Sequence, residues 1–341
     1  MSGIAVAWPK GHVGRWGDRG GRRWYTAAVG LDVVHVLAPG GGFAEELIAA
    51  LAGRRCVLWA DAEAALAGLP EAVCVVASTL PAGSRARAGR LRVVHALGAG
   101  VDGLLPEVPP DVQVLRAAEM TATEVCEHAW ALILALARQV PLATQQQRER
   151  RWQAYAARGL AGRTLAVLGL GAIGGRVAAI GGAFGMRVIG TRRRAREATS
   201  TSVVEHPPAA TRAVLAAADV VVVALPRTPA TTGLLGADML AAMRPGALLV
   251  VVSRGGIVDE EALCERLRGG QLGGAALDVT AEEPLPVTSP LWGAPNVVIT
   301  PHVGGWTPDY ARRIGGVVRM NLDRLDRGLR PLGLVDRVHG Y

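Results

Sequence analysis

Three side chains late in the 341-residue sequence have the chemistry to reduce a carbonyl together: Arg254, Glu283 and His302. An imidazole titrates near neutral pH, so His302 is the natural group to give a proton to a carbonyl oxygen or to take it back. A carboxylate at Glu283 would favour the imidazolium and hold the ring in position. Arg254 would bind the carboxylate of an anionic substrate, or polarise its carbonyl, concentrating positive charge where an alkoxide develops. Reduction of a 2-oxo acid also needs a hydride for the carbonyl carbon, which none of the three supplies.

A hydride source is implied upstream. Thr164–Leu168 is an apolar run of strand length, and it ends in Gly169-Leu170-Gly171-Ala172-Ile173-Gly174, a G-x-G-x-x-G turn that opens a helical stretch. Gly169 permits the tight turn, Gly171 the approach of backbone to a pyrophosphate, and Gly174 the packing of helix on strand. NAD-binding folds place an acidic residue on the ribose about 20 residues further on. Here Val188-Ile189-Gly190-Thr191 runs instead into Arg192-Arg193-Arg194. Guanidinium groups pair bidentately with phosphate, so Thr191, Arg192 and Arg193 point to the 2′-phosphate of NADP(H), with NAD(H) as the alternative cofactor. A solvated arginine loop is the competing structural reading.

The elements that must position these groups follow from apolar periodicity. Asp219–Leu225 and Ala247–Val252 are continuous apolar runs that fit parallel strands buried on both faces. The first ends in Pro226-Arg227-Thr228-Pro229, which puts Leu225 and Pro226 at the cofactor edge; the second ends in Ser253-Arg254-Gly255-Gly256. A helix with Glu260, Leu263 and Leu267 follows, then strands at Gly273–Val279 and Val297–Thr300. Ligands in such sheets lie beyond the carboxyl ends of the strands, where Arg254, Asp278, Glu283 and His302 would converge. Upstream, Glu45–Leu51 and Ala62–Leu69 read as helices and Cys56–Trp59, Ala72–Ala77 and Leu91–His95 as strands, an alternation that predicts a second, smaller α/β sheet. Ile4–Ala7 reads as a strand and Gly11–Arg23 as a loop, and residues 1 to about 40 carry little other pattern. Leu97-Gly98-Ala99-Gly100-Val101-Asp102 is either an ordinary strand-to-helix turn or a run of backbone N–H groups facing an anion. Met120–Pro141 reads as a helix capped by Thr121 or Thr123, on which Glu127 and His128 are polar residues of structural rather than catalytic character. Gln145–Trp152 reads as an exposed helix or oligomer contact.

Composition narrows the field. Half of the residues are hydrophobic and 19% are charged, as in a folded globular protein. The net charge is +8 and Lys10 is the sole lysine, which excludes a Walker-type lysine and a Schiff-base lysine in the core. No basic stripe interleaved with aromatics, zinc spacing or helix-turn-helix pattern accompanies that charge, so an anionic small molecule rather than nucleic acid is the expected partner, and no metal is expected. Cys56, Cys74, Cys126 and Cys264 are scattered, which suggests core thiols in a reducing, cytoplasmic setting. The start of the chain lacks the apolar region of a signal peptide, and no apolar run is long enough for a membrane span.

Three segments then resemble, in order, the signatures of the D-isomer-specific 2-hydroxyacid dehydrogenases. They are Ser253-Arg254-Gly255-Gly256-Ile257-Val258-Asp259, Leu277-Asp278-Val279 with Glu283-Pro284-Leu285-Pro286, and Thr300-Pro301-His302-Val303-Gly304. The resemblance covers roughly Arg92 to Thr307. It implies that Arg254 binds substrate, that Glu283 partners the histidine and that His302 is the general acid and base. It also implies that Asp278 lies near the nicotinamide carboxamide with Val252 and Ser253 on the cofactor side, that Ala99-Gly100-Val101 offer N–H groups to the substrate carboxylate, and that Trp306 lines the pocket.

The fold implied is α/β: a Rossmann-type doubly wound parallel sheet inserted into a smaller flavodoxin-like α/β substrate domain. Residues 120–307 would form the dinucleotide-binding domain, and residues 1–119 and 308–341 the substrate domain, with a homodimer built through the former. Within the family the glyoxylate/hydroxypyruvate reductases are most similar, implying an NADPH-preferring reductase of a small 2-oxo acid. An NAD-dependent dehydrogenase of a bulkier D-2-hydroxy acid and a non-catalytic dinucleotide sensor are the alternatives. Departures from the family pattern are Val251 in place of an asparagine, Ala172 in place of an arginine in the glycine turn, and the unmatched segment Gly11–Arg23.

Overall fold

The computed structural model describes residues 31–117, 119–193, 203–338 and 340; the expected strand at Ile4–Ala7, the loop at Gly11–Arg23 and Arg194 lie outside them. The chain first builds β1 (Val33–Leu37), α1 (Gly42–Ala50), β2 (Arg55–Trp59), α2 (Ala62–Gly68), β3 (Cys74–Ala77), α3 (Ser84–Arg87), β4 (Val93–Ala96) and β5 (Gln113–Leu115). These strands form one parallel sheet in the order β2-β1-β3-β4-β5, the flavodoxin-like order.

A second series follows: α4 (Ala122–Ala137), α5 (Val140–Arg148), β6 (Thr164–Leu168), α6 (Ala172–Ala183), β7 (Arg187–Thr191), β8 (Val203–His206), α7 (Thr211–Ala217), β9 (Val220–Val223), α8 (Ala237–Ala241), β10 (Ala247–Val251), α9 (Glu260–Arg268), β11 (Leu272–Leu277) and β12 (Val297–Ile299). Its parallel sheet runs β12-β11-β10-β9-β6-β7-β8. Counted from β6 this is the dinucleotide-binding order 3-2-1-4-5-6 with a further strand, and the order reverses on either side of β6. Strands β6, β9 and β10 are buried along their whole length because helices cover both faces, which is why they are continuous Val, Leu and Ala runs rather than alternating patterns. One face packs under α7, α8 and α9, and the other under α4 and α6.

The last helix, α10 (Tyr310–Asp326), returns to the first sheet. Ile314, Val318, Leu322 and Leu325 join the core beside Leu47 and Leu51 of the α1 region. A Cβ at Gly315 would lie 2.9 Å from the Leu47 carbonyl oxygen, so this glycine sets the close approach of α10 to α1. An antiparallel bridge, Leu115 to Leu334, closes the return. The seven-stranded sheet is thus inserted into the architecture of the five-stranded one.

Two expectations need correction. The helix read as reaching Pro141 ends at Ala137, because Gln139 adopts a left-handed φ of 55° and Pro141 sits in the first turn of α5, where its missing N–H costs nothing. The helix expected over Gln145–Trp152 stops at Arg148; Arg150 also has positive φ, and Trp152 is fully exposed outside the helix. Strand β1 falls in the stretch that showed little pattern.

Candidate active site

Strands β10, β11 and β12 are neighbours, so the segments after them emerge side by side at one edge of the sheet. Arg254 follows β10, Asp278 and Glu283 follow β11, and His302 follows β12. A Cβ at Gly255 would overlap the Thr280 carbonyl, so the arginine loop and the glutamate loop pack backbone against backbone.

The His302 ring faces Glu283, with Nδ1 2.7 Å from Oε2. Glu283 is itself fixed, its Oε1 accepting from the Thr280 N–H at 3.1 Å. On the adjacent peptide, Ala281 N–H donates to Glu260 Oε1 at 2.6 Å. Burial pushes the Glu260 carboxyl above its ordinary range; the Ala281 bond opposes the rise and the charge of Glu283 adds to it. His302 has φ 55°, an uncommon conformation for a residue with a Cβ. It is held there by its own N–H, which donates to the carbonyls of Asp278 (2.8 Å) and Thr300 (3.0 Å).

Asp278 is almost fully buried and spends its carboxylate on the same loop. Oδ1 accepts from Thr300 Oγ1 (2.6 Å) and Val303 N (3.0 Å), and Oδ2 from Gly304 N (3.0 Å). Burial alone would raise its pKa, yet bonds from His128, Thr300, Gly304 and Val303 hold it below the usual carboxylate range. Asp278, which the resemblance places near the nicotinamide carboxamide, anchors the loop that carries His302.

Arg254 is placed by the other sheet. Its Nε donates to Asp102 Oδ1 at 3.1 Å and its Nη1 to the Ser253 carbonyl at 2.7 Å. A Cβ at Gly100 would fall on the guanidinium, so Gly100 is the residue type that lets Arg254 lie against the β4 turn. Arg227, in the loop after β9, reaches Asp102 Oδ2 at 3.4 Å. Burial would raise the Asp102 pKa, but the charge and hydrogen bond of Arg254, then the charge of Arg227, hold it below its ordinary value. The carboxyl edges of the two sheets therefore face each other across these contacts. Ala99 and Gly100 are partly exposed there, while the Val101 side chain is in the core. Trp306, 58% exposed, stacks on Tyr310 with ring centroids 5.7 Å apart and lies beside Phe43. The Tyr310 hydroxyl donates to the Leu97 carbonyl at 2.5 Å.

The glycine turn follows β6. Gly169 has φ 97°, and a Cβ there would lie 2.8 Å from the Ala224 carbonyl oxygen; a Cβ at Gly174 would collide with the Gly169 carbonyl. At Gly171, the residue before α6, a Cβ would meet no atom within 4 Å among the described residues. Ala172 is exposed and Ile173 half-buried at the start of α6, whereas Leu170 turns into the core. Leu225 packs against Gly169, with Pro226 beside it. Thr191 is spent on the turn, its carbonyl accepting from Gly169 N and Leu170 N and its hydroxyl from Gly169 N. Arg192 leans 3.4 Å from Glu205 Oε1 on β8, and Arg193 is an exposed neighbour with contacts of its own. Val252 is buried beside Ser253.

A dinucleotide fits these residues on two observations. The N-terminus of α6 opens at Gly171 onto space that a side chain would fill. Arg192 Nε and Ser253 Oγ are buried with no hydrogen-bond partner among the described residues, one at each end of the edge where a dinucleotide would lie.

Residues 130–304 match the family model described as D-isomer specific 2-hydroxyacid dehydrogenase, NAD binding domain. The chain is also 36% identical over 263 residues to a glyoxylate reductase of Aeropyrum pernix, covering 74% of this chain and 78% of that one. The chain belongs to the D-isomer specific 2-hydroxyacid dehydrogenase family. Another relative, a D-3-phosphoglycerate dehydrogenase of Mycobacterium tuberculosis, is 36% identical over 283 residues, covering 80% of this chain. The chain spans about half the length of the phosphoglycerate dehydrogenases it matches. Among solved structures of the family, an NADPH-dependent glyoxylate/hydroxypyruvate reductase from Sinorhizobium meliloti, in complex with NADP and sulfate, superimposes with a TM-score of 0.80 at 31% identity, covering 91% of this chain and 99% of that one.

The sequence offers Arg254, Glu283 and His302 as candidates but not the groups that hold them in place. Asp102 and Arg227 stood within motifs already singled out, yet their contacts join positions far apart in the chain. Tyr310 and Phe43 had no signal at all.

Proposed function

We propose that the chain is a D-2-hydroxyacid dehydrogenase working as an NADPH-preferring reductase of glyoxylate, hydroxypyruvate or a similar small 2-oxo acid. The observation that carries this reading is the 2.7 Å pair of His302 and Glu283 beside an arginine that the opposite sheet aims through Asp102. The glycine turn after β6 would hold NADPH, which would supply the hydride for the carbonyl carbon. Arg254, with the backbone at Ala99 and Gly100, binds the substrate carboxylate and stabilises charge building on the carbonyl oxygen. His302 gives that oxygen its proton, completing the hydroxyl, and Glu283, 2.7 Å from Nδ1, orients the ring. In the oxidative direction the same imidazole removes the proton.

Residues 120–307 serve as the dinucleotide-binding domain in this reading, and 1–119 with 308–341 present the substrate-facing edge. The exposed Trp152, Val140 and Tyr155 suit a homodimer contact, which a sizing column tests. Arg192, whose Nε has no partner among the described residues, supports the 2′-phosphate, as does the NADP in the Sinorhizobium structure. A second reading, an NAD-dependent dehydrogenase of a bulkier D-2-hydroxy acid, is favoured by Glu205 beside Arg192 and by the aromatic group of Phe43, Trp306 and Tyr310. Initial rates over a panel of 2-oxo acids with NADPH and with NADH decide. Equal or better efficiency with NADH overturns the cofactor assignment, and absence of turnover across the panel overturns the enzyme.

A further inference from the structure

His128 lies on α4, outside the segments that carry the proposed chemistry, yet its ring is turned into the loop behind His302. Its Nε2 is 2.9 Å from Thr300 Oγ1 and 3.2 Å from Asp278 Oδ1. Thr300 gives its one hydroxyl proton to Asp278 Oδ1 at 2.6 Å, and an ionised carboxylate only accepts. Both oxygens near Nε2 are therefore acceptors, which places the His128 proton on Nε2. The ring donates into the Thr300–Asp278 pair and completes a closed network: His128 to Thr300 and Asp278, Thr300 to Asp278, and Asp278 to the amides of Val303 and Gly304 at 3.0 Å each. The Asp278 carbonyl in turn accepts the His302 N–H. Gly304 is the residue type that permits this closure, because a Cβ there would stand 2.8 Å from Asp278 Oδ2 and 3.1 Å from His128 Cδ2.

We propose that His128 is a positioning residue for proton transfer: it locks Asp278 and Thr300 so that the Thr300–Gly304 loop presents the His302 imidazole at a fixed place. His302 adopts an uncommon backbone conformation, which persists only where the surroundings over-determine it. Five hydrogen bonds converge on the side chains of Asp278 and Thr300 to do so, and among the described residues His128 is the contributor to them from outside β11, β12 and their loops. The functional part of this proposal rests on the assignment of His302 as the proton donor. A displaced donor lowers the rate of the chemical step more than it weakens substrate binding, since the residues that would hold the substrate carboxylate, Arg254 and the β4 turn, are not touched.

The test compares wild type, H128A and H128Q, whose amide nitrogen can reach the same acceptors, in steady-state kinetics with NADPH and the best 2-oxo acid of the panel. Amide hydrogen exchange of Val303 and Gly304 is measured in parallel. H128A is expected to lose about tenfold or more in kcat with KM for both substrates within about threefold, while its Val303 and Gly304 amides exchange at least about tenfold faster. H128Q is expected to recover most of both losses. Unchanged kcat in H128A overturns the proposal, as does equal loss of kcat and of dinucleotide binding in both variants with a lowered Tm. Amide exchange needs no turnover, so an inactive wild type would count against the proposed activity while the network itself is still read: unchanged exchange overturns the brace, and faster exchange restored by glutamine upholds it.

Discussion

Asp102 shows how a residue outside the candidate cluster of Arg254, Glu283 and His302 sets the geometry of its arginine. Its carboxylate takes Arg254 Nε and Arg227 Nη2 at once, leaving the Nη face of Arg254 against the Gly100 backbone. Asp102→Asn keeps an acceptor of the same shape and removes the charge, so Arg254 loses a charge-assisted bond and becomes mobile. All three side chains are partly exposed, so solvent screening reduces the effect to about 1–2 kcal/mol, or roughly tenfold. That loss should fall on KM for the 2-oxo acid rather than on kcat, since substrate capture and not proton donation is disturbed; steady-state kinetics with saturating NADPH check it. The site was legible in the sequence only where chemistry is local. Glu283 and His302 stand after recognisable strand runs, whereas the Arg254 to Asp102 bond spans 152 positions and no spacing rule reaches it. The sequence marks His128 as a structural helix residue but does not show which loop it supports.

At the scale of elements, the glycine turn separates what the fold needs from what a ligand needs. Gly174→Ala forces a methyl into the Gly169 carbonyl, so α6 must move off β6; a Tm loss of several degrees is expected together with weaker dinucleotide binding. Gly171→Ala meets no atom within 4 Å among the described residues, so Tm should stay within about a degree. Its methyl would instead stand where a pyrophosphate approaches, and Kd for NADPH should rise about tenfold or more, read by fluorescence titration. Strands β7 and β8 give a second prediction, because Glu205 beside Arg192 competes with a 2′-phosphate for the guanidinium. Glu205→Gln should lower KM for NADPH by about threefold to tenfold and leave KM for NADH unchanged. A parallel change for both cofactors would show that Arg192 does not discriminate between them. Strands β6, β9 and β10 were readable because burial on both faces makes them uniform apolar runs. β8, with two exposed residues among four, has no such signature, and the α4 to α5 break depends on the left-handed Gln139, which no propensity announces.

For the whole molecule, the return of α10 to the first sheet rests partly on a fully buried imidazole, and this makes stability depend on pH. His95 on β4 contacts the Ala96 carbonyl through Nδ1 at 2.8 Å and lies 3.0 Å from Asn321 Nδ2 of α10 through Nε2. Asn321 also brackets Leu332, donating to its carbonyl and accepting from its N–H, so one side chain ties the helix, the sheet and the chain beyond the helix. With Nε2 accepting from Asn321, His95 is neutral in the folded state. Burial pushes its pKa down from 6.5 to about 4, only partly offset by the Ala96 bond. The unfolded chain therefore binds a proton below pH 6.5 that the folded chain refuses until about pH 4. Stability from this group is complete above 6.5 and is lost progressively across that window, by about 2 kcal/mol at pH 5. Asp102 and Asp278, held below their ordinary carboxylate range, push in the same direction only at more acid pH. Urea denaturation at pH 7.5 and pH 5 should show the wild type losing that amount between the two, and H95Q, which cannot take up the proton, losing about 2 kcal/mol less over the same interval. Parallel losses in the two proteins would mean that the acid sensitivity arises elsewhere than at the junction of β4 and α10.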